Sequence, residues 1–379
     1  MARFVVLTRL LLLGISGVLI SNRPAAAQAT QPADDAARLY LQAGMLVEKN
    51  YDRNIMSPSA SNLNYSDCPP FIPEWLRMEK ENFSANQPAR DLAHQARSIE
   101  HANWPELKLP KLDLKYLNDC RALSNELADA ALYQHLQGDD AAAVETLRDQ
   151  LQLADSVESG KKYLVVYLVG AGIRAEALDR LNVVMAGGEL TKDPANKKAL
   201  QAGVVRELID QLLKRPDAKT EMDEAVKAEN LAATPIDRKS IDHSIVTFNR
   251  VNAECGMSAV ALACHLYHFD TGTWPTSLSD LHAHLPNPPI DPFGDDKQTL
   301  GYTLIKSGLP DGSDRPLVYS RGDSKDGLFF RTNQPAYSYY RGDGSDLPAI
   351  KQKQGGQFRD LTAWTPAAGR ASSTQPVQQ

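Results

Sequence analysis

Four of the eight histidines lie within twenty residues of one another: His265, His268, His282 and His284, with Cys264 next to the first. Imidazole and thiolate are ligands that Zn²⁺ prefers. His265 and His268 share one face of a predicted helix because they are three residues apart. The pattern predicts either a zinc site, as in a metal-dependent hydrolase, or boundary histidines beside a buried Cys264. No His-Glu-x-x-His or Cys-x-x-Cys motif supports the zinc site.

Motifs for nucleophilic catalysis or phosphate binding are weak in this chain. No Gly-x-Ser-x-Gly sequence occurs. Gly170 and Gly172 form a Gly-Ala-Gly sequence without a preceding strand, which predicts close packing between helices rather than a phosphate loop. The sequence therefore names no catalytic residue and favours a non-catalytic protein, while an enzyme stays open.

The four cysteines permit two disulfides. Cys255 and Cys264 are nine residues apart on one predicted helix, so they lie on roughly opposite faces and should not pair. A Cys68–Cys120 bridge remains open, and so does the alternative of buried free thiols.

The first 29 residues have the pattern of a secretory signal peptide. Arg3 and Arg9 flank the start of a short apolar run, Leu10–Ile20, and small residues follow that suit cleavage after Ala27 or Ala29. The run is too short to span a bilayer comfortably. We therefore expect export to the periplasm or the extracellular space, with an uncleaved N-terminal anchor as the alternative.

The charge balance argues against nucleic acid as a partner. The chain has a formal net charge of −6, which becomes −9 without residues 1–29 because these contain three arginines and no acid. A phosphate-binding surface needs clustered Lys and Arg. The longest later apolar run, Tyr163–Ile173, has the length of a buried helix, so we expect no transmembrane segment in the mature chain.

Apolar periodicity predicts helices up to Asp270. They cover residues 34–50, a short stretch around Trp75, and residues 88–102, 114–137, 141–157, 161–186, 194–214, 216–232 and 236–269. The third and fourth long helices should form an antiparallel hairpin, with Asp139 or Asp140 as the helix cap after Gly138.

The character of the chain changes after residue 285. Short alternating runs separated by Pro, Gly and Asp predict three or four antiparallel strands within residues 286–347. The fold class is thus α+β. We expect a signal peptide (1–29), an α-helical domain (30–235), an α+β domain (236–347) and a low-complexity, disordered tail (348–379).

Three motifs of the second domain match a known family. The first follows the long helix and comprises Tyr267, Gly272, Pro275, Leu278 and Leu281. The second is the turn Asp291, Pro292, Phe293 and Gly294, and the third, less complete, comprises Ser320, Gly322, Asp326 and Gly327. Residues 255–330 thereby resemble the C-terminal domain of type II secretion pseudopilins. The whole chain resembles exported proteins of planctomycete-type bacteria, a resemblance that implies no particular activity.

The pseudopilin resemblance implies a Ca²⁺ site in the C-terminal loops, with Ser320, Asp323 and Asp326 as ligands. Further acids stand in Gly-rich loops: Asp311, Asp314, Asp343 and Asp346. Flexible loops with many oxygens suit Ca²⁺. The alternative is that Asp and Gly are here only because hairpin turns require them. We expect no other cofactor.

Together these features favour an exported, non-catalytic binding or scaffolding protein of the bacterial envelope with a protein partner. Two alternatives are a metal-dependent hydrolase that uses the four histidines and a secretion-system component. Pseudopilins join this domain directly to a membrane-spanning helix, whereas about 200 helical residues intervene here. The resemblance therefore does not imply assembly into a fibre.

Overall fold

The computed structural model describes residues 35–50, 73–106, 114–160, 163–188, 190–215, 220, 223–227, 238–294, 298–305 and 314–320. Helices dominate these residues, and a two-stranded antiparallel sheet lies near their C-terminal end. The predicted order, with helices first and a small sheet after them, is confirmed at this level.

The helices are α1 (Ala36–Asn50), α2 (Pro73–Ala85), α3 (Gln87–Arg97), α4 (Lys115–Leu136), α5 (Asp140–Ser159), α6 (Leu164–Gly187), α7 (Ala202–Leu213) and α8 (Arg238–Thr271). Residues 223–227 are also helical. Most bounds lie within three residues of the predicted ones. The predicted short helix around Trp75 is longer than expected, since α2 has 13 residues.

Helix α4 shows why the apolar pattern predicts these elements well. Leu117, Cys120, Leu123, Leu127 and Ala131 recur every three or four residues, and all five are buried. Side chains at this spacing lie on one face of a helix. The stripe therefore packs inwards against α1, α5 and α6.

Helices α4 and α5 are joined by three residues and pack against each other, as expected for the predicted hairpin. Gly138 has φ +75, a conformation that suits glycine. The Asp139 carboxylate accepts a hydrogen bond from the amide of Ala142 at 3.1 Å and so caps α5. Asp139, of the two predicted residues, is the cap.

Two large hydrophobic clusters fill the interior. One is built mainly from α1, α3 and α4, with parts of α5 and α6. The other extends from α5, α6 and α7 through α8 to Leu300 and Val318. The second cluster thus includes side chains from both sides of the predicted domain boundary at residue 235, which itself lies outside the described residues.

The helix predicted over residues 194–214 begins only at Ala202. Before it, strands β1 (Leu190–Thr191) and β2 (Leu200–Gln201) pair in parallel. Asp193 forms a turn, because its carboxylate accepts from the amide of Ala195 at 2.9 Å. Local side-chain hydrogen bonds of this kind compete with helix formation, so the helix starts later than the apolar spacing predicts.

Helix α8 leads into strands β3 (Gly301–Ile305) and β4 (Arg315–Tyr319), which pair antiparallel, and β4 contacts α8. A Cβ atom on Gly301 would lie 2.3 Å from the Tyr319 ring, so a larger residue at this strand position would have to displace that ring. The other runs predicted as strands, residues 327–332 and 336–342, lie outside the described residues.

Candidate functional site

A polar groove of about 560 Å³ lies between α3, α5 and α7. Seven polar residues line it: Arg97, Arg148, Gln152, Asp155, Asp210, Gln211 and Lys214. Ligand pockets of roughly 300–1,000 Å³ usually have mainly apolar walls. The charged and amide groups of these seven residues can bind a charged or strongly polar ligand, and the aliphatic parts of their side chains supply much of the wall.

Arg97 holds α3 against α5 at one end of the groove. Its guanidinium lies 2.5 Å from the Glu145 carboxylate and 2.9 Å from that of Asp149. Burial alone would raise the pKa of Glu145, but hydrogen bonds from Arg97 and Arg148 lower it overall. Burial raises the pKa of Asp149 to about 6, against the opposing charges of Arg97 and His94. This wall is therefore fixed by charge-assisted bonds.

Arg148 makes the corresponding connection between α5 and α7. It pairs with Glu145 at 2.7 Å on its own helix and with Glu207 at 2.7 Å on α7. The Gln211 side chain donates a hydrogen bond to the carbonyl of Arg148 at 3.2 Å. These two contacts connect α5 with α7 at the groove.

Three groove residues have side-chain polar groups that bond to no other described residue. Gln152, Asp210 and Lys214 have no side-chain hydrogen bond or ion pair to any other described residue. Asp210 of α7 and Lys214, the residue that follows the helix, are exposed and four positions apart, which places opposite charges near each other. These groups can receive a ligand that carries both charge signs.

A buried ion-pair network lies behind the groove. Arg174 is completely buried on α6, and its guanidinium lies 2.7 Å from Asp155 and 2.9 Å from Glu158. Arg215 also pairs with Glu158 at 2.7 Å. The carboxylate of Asp155, though it lines the groove, is therefore already neutralised from behind by Arg174.

Gly170 makes this network sterically feasible. A Cβ atom there would lie 2.4 Å from Cγ of Glu158, whereas Gly172 has open space around it. The predicted close packing at Gly-Ala-Gly is thus found at Gly170, where α6 meets the side chain of Glu158 from α5.

Two of the four histidines predicted as a zinc site pack against Trp274. The ring of the partly buried His265 lies nearly perpendicular to that of Trp274, and His268 stacks on the same ring at 4.2 Å between centroids, while His282 is exposed on the 3₁₀ helix. Burial, together with the smaller effect of the charge of His268, lowers the pKa of His265 to about 4. His284 faces Asp270 at 3.5 Å. All four histidines, His282 included, are described.

Across the described ranges, no group of three or more His, Cys, Asp or Glu side chains is placed to hold a metal ion. Two of the predicted Ca²⁺ ligands, Asp323 and Asp326, lie outside those ranges, as do Asp311, Asp343 and Asp346. Asp314 and Ser320 are described, and Ser320 is buried.

The first family motif forms the end of α8. Gly272 has φ +75 and terminates the helix, as its position in the motif predicts. Tyr302 of β3 donates a hydrogen bond from its hydroxyl to the carbonyl of Pro275 at 2.5 Å. Leu281 is buried, and Tyr267 and Leu278 pack against the same cluster. A 3₁₀ helix, Leu278–Ala283, carries the two leucines and is capped by Ser277 and Asp280.

The second and third motifs meet each other. The carboxylate of Asp291 accepts hydrogen bonds from the amide of Phe293 at 3.0 Å and from the hydroxyl of Ser320 at 2.7 Å. The amide of Gly294 donates to the carbonyl of Asp291 at 2.9 Å and closes the turn that contains Pro292. Ser320, predicted as a Ca²⁺ ligand, therefore bonds to the turn.

Cys120, Cys255 and Cys264 are buried free thiols. Burial raises the pKa of Cys255 to about 11 and that of Cys264 and Cys120 further, so these thiols stay protonated. Of the two alternatives for Cys120, the free thiol is the one found. Cys68 lies outside the described residues.

No family model, curated protein or solved structure matches this chain. None of the helices in the described ranges combines the length and apolar character that a membrane crossing requires. The groove's geometry and charges therefore carry the functional assignment.

The sequence did not point to the groove residues. They come from three helices and form no local motif, since more than 110 positions separate Arg97 from Lys214. One signal was available: Arg174 follows the apolar run Tyr163–Ile173, and an arginine in a buried helix must have a charged partner.

Proposed function

We propose that this chain is an exported, non-catalytic binding or scaffolding protein of the bacterial envelope that holds a charged protein partner in the polar groove. The observation that carries the proposal is the groove itself, a space of about 560 Å³ lined entirely by polar residues. Its walls are fixed by ion pairs while Gln152, Asp210 and Lys214 are left for a ligand.

The chemistry of the groove favours recognition over reaction. Arg97, Arg148 and Asp155 already have charged partners, so they shape the groove and set its field. The uncommitted groups are one carboxylate, one ammonium and one amide. They match a peptide segment that presents an acidic and a basic group to one helix face.

Export is part of the proposal and rests on residues 1–29. A secreted chain meets its partner in the periplasm or outside the cell. The net negative charge of the chain supports a protein partner in preference to nucleic acid.

We further propose that residues 236–347 form a pseudopilin-like domain, which would link the protein to secretion machinery. Support comes from the three family motifs. Gly272 ends a 34-residue helix, and Asp291 of the second motif bonds Ser320 of the third. The helix then leads into an antiparallel pair of strands.

The test exchanges the two uncommitted charges. The double variant Asp210→Lys with Lys214→Glu keeps the net charge and the helix. It exchanges the positions of the negative and the positive charge that the partner would contact. We expect the immobilised wild-type protein to retain a defined partner from the native envelope fraction. The variant should retain at least about tenfold less of this partner, as measured by quantitative mass spectrometry.

The matched control is Lys197→Glu with Asp223→Lys, which reverses two exposed charges outside the groove. This control should retain the partner like the wild type. Equal retention by the groove variant and the wild type, with both folded by circular dichroism, would refute the groove as the binding site.

A further inference from the structure

A second cluster of charged side chains lies apart from the groove, where α2 packs against α3 and α4. Its charged members are Glu79 of α2, Arg90 of α3, Glu126 and Asp129 of α4, and Glu176 and Arg180 of α6. Five of the six are buried, and Glu176 is partly exposed. Four acids therefore share this region with two arginines.

The two arginines are engaged by two of the acids. Arg90 lies 2.5 Å from Glu126, and Arg180 lies 3.6 Å from Asp129. Asn82 and Asn86 also donate hydrogen bonds to the other oxygen of Glu126, at 3.0 and 3.2 Å. Glu126 is thus the centre of the cluster, and its carboxylate has three partners.

The Glu79 carboxyl group has fewer hydrogen-bond partners than that of Glu126. It is 1% exposed, and one of its oxygens accepts a hydrogen bond from Asn82 at 3.2 Å. Its other oxygen, Oε1, is buried and has no hydrogen-bond partner in the described part of the chain. An ionised carboxylate in such a place is costly, whereas a protonated carboxyl is not.

Burial raises the pKa of Glu79 to about 9, and the charges of Asp129 and Glu126 add to the effect. Burial likewise raises the pKa of Glu126 to about 8 against the opposing charge of Arg90. It raises the pKa of Glu176 to about 7, with Asp129 and Asp179 contributing and Arg180 opposing. Asp91 is the remaining charged group near Arg90.

The described side chains of α2 pack against the rest of the protein mainly through this cluster. The described side chains of α2, from Glu79 onwards, contribute none of the residues of the hydrophobic clusters. Its buried side chains there are the polar Glu79 and Asn82. Phe83 adds contacts to the Tyr133 ring at 5.0 Å and to the Arg90 guanidinium at 3.7 Å.

We propose that this cluster is a proton-binding site that holds α2 in place, and that loss of its proton at alkaline pH releases α2 from α3 and α4. The released proton leaves Glu79 as an anion beside Glu126 and Asp129. Repulsion between these carboxylates and the desolvation of Glu79 then favour the detached helix, in which water surrounds Glu79.

The direction of the pH effect follows from linkage. A carboxyl with a raised pKa binds its proton more tightly in the docked state than in the detached state. Docking is therefore strongest below the ordinary carboxyl pKa and declines until the pH passes about 9 for Glu79. One linked proton changes the docking equilibrium by up to about tenfold per pH unit.

Hydrogen exchange of the full chain at pH 6, 7 and 8 tests the proposal. We expect protection factors of residues 79–85 to fall by about tenfold per pH unit, while those of residues 147–154 in α5 stay constant. Glu79→Gln, a neutral isostere, should make the protection of α2 independent of pH. Glu81→Gln, an exposed position on the same helix, should behave like the wild type.

The proposal is overturned if wild-type α2 keeps constant protection between pH 6 and 8, if Glu79→Gln shows the wild-type slope, or if α5 loses protection in parallel. Carboxyl ¹³C NMR of the wild type gives a test that does not depend on the variant. We expect a glutamate resonance that titrates above pH 7, and titration of every glutamate below pH 6 would refute the site.

Discussion

Gly170 and Glu158 show how one missing side chain permits a buried charge network. The glycine leaves room for Glu158, which pairs with the fully buried Arg174 and with Arg215. The network then neutralises Asp155 at the floor of the groove. The shape of the groove thus depends on a residue that does not line it.

Gly170→Ala should destabilise the protein by about 1–3 kcal/mol, because the new methyl group displaces Glu158 in a packed interior. Gly172→Ala is the matched control, with nothing within 4 Å of its Cβ. It should be neutral or stabilising by up to about 1 kcal/mol through helix propensity. Urea unfolding compares the two, and equal effects would contradict the packing account.

The hydrogen bond from Ser320 to Asp291 stabilises a buried carboxylate. Asp291 is 1% exposed, so removal of its hydroxyl partner leaves a buried carboxylate with fewer donors. We expect Ser320→Ala to cost about 1–3 kcal/mol in unfolding experiments. Ser279→Ala, at an exposed position, should change stability by less than about 0.5 kcal/mol.

At the scale of elements, the change from helix to sheet depends on the backbone conformation of Gly272. Its φ of +75 ends α8 and directs the chain towards the 3₁₀ helix and β3. Tyr302 then ties β3 back to Pro275.

Gly272→Ala should destabilise the protein by about 1–2 kcal/mol, because non-glycine residues avoid this region of φ. Gly203→Ala, with no positive φ and open space around it, should not destabilise. Thermal unfolding of the two variants provides the comparison. A Gly272→Ala protein as stable as the wild type would show that another residue ends α8.

The helices and the turn at Gly272 could be predicted from the sequence because their signals are local. Apolar spacing marked α4, and the glycine marked the end of α8. The start of α7 was misplaced because hydrogen bonds of Asp193 favour a turn over a helix. The groove could not be predicted, since Arg97, Arg148 and Lys214 meet only through the packing of three helices.

At the scale of the whole molecule, buried ionisable groups set the pH dependence of stability. Burial raises the pKa of Glu126, Glu176 and Asp149, so the folded state binds their protons more tightly than the unfolded state. Stability from these groups is lost as the pH rises through about 6 to 8. The lowered pKa of His265 has the opposite sign, and its contribution is lost as the pH falls from 6.5 towards 4.

We therefore expect the free energy of unfolding to be greatest at about pH 5, between the pH ranges in which these opposing groups titrate. The free energy of unfolding should then fall towards pH 8. Each carboxyl group that is protonated in the folded state and ionised in the unfolded state lowers it by up to about 1.4 kcal/mol per pH unit. Urea unfolding at a series of pH values measures this. Glu176→Gln should flatten the alkaline side, and a stability that rises from pH 5 to 8 would contradict the assignment.

Binding of a partner in the polar groove is the central claim for the whole molecule. The most direct measurement is photo-crosslinking in the native envelope fraction with a benzophenone side chain at Gln152, and with the same group at exposed Lys197 as the control. We predict one crosslinked partner at Gln152 that disappears with the Asp210→Lys, Lys214→Glu exchange and is absent at Lys197. The same crosslinks at both positions, or crosslinks at Gln152 that persist in the exchange variant, would contradict the claim.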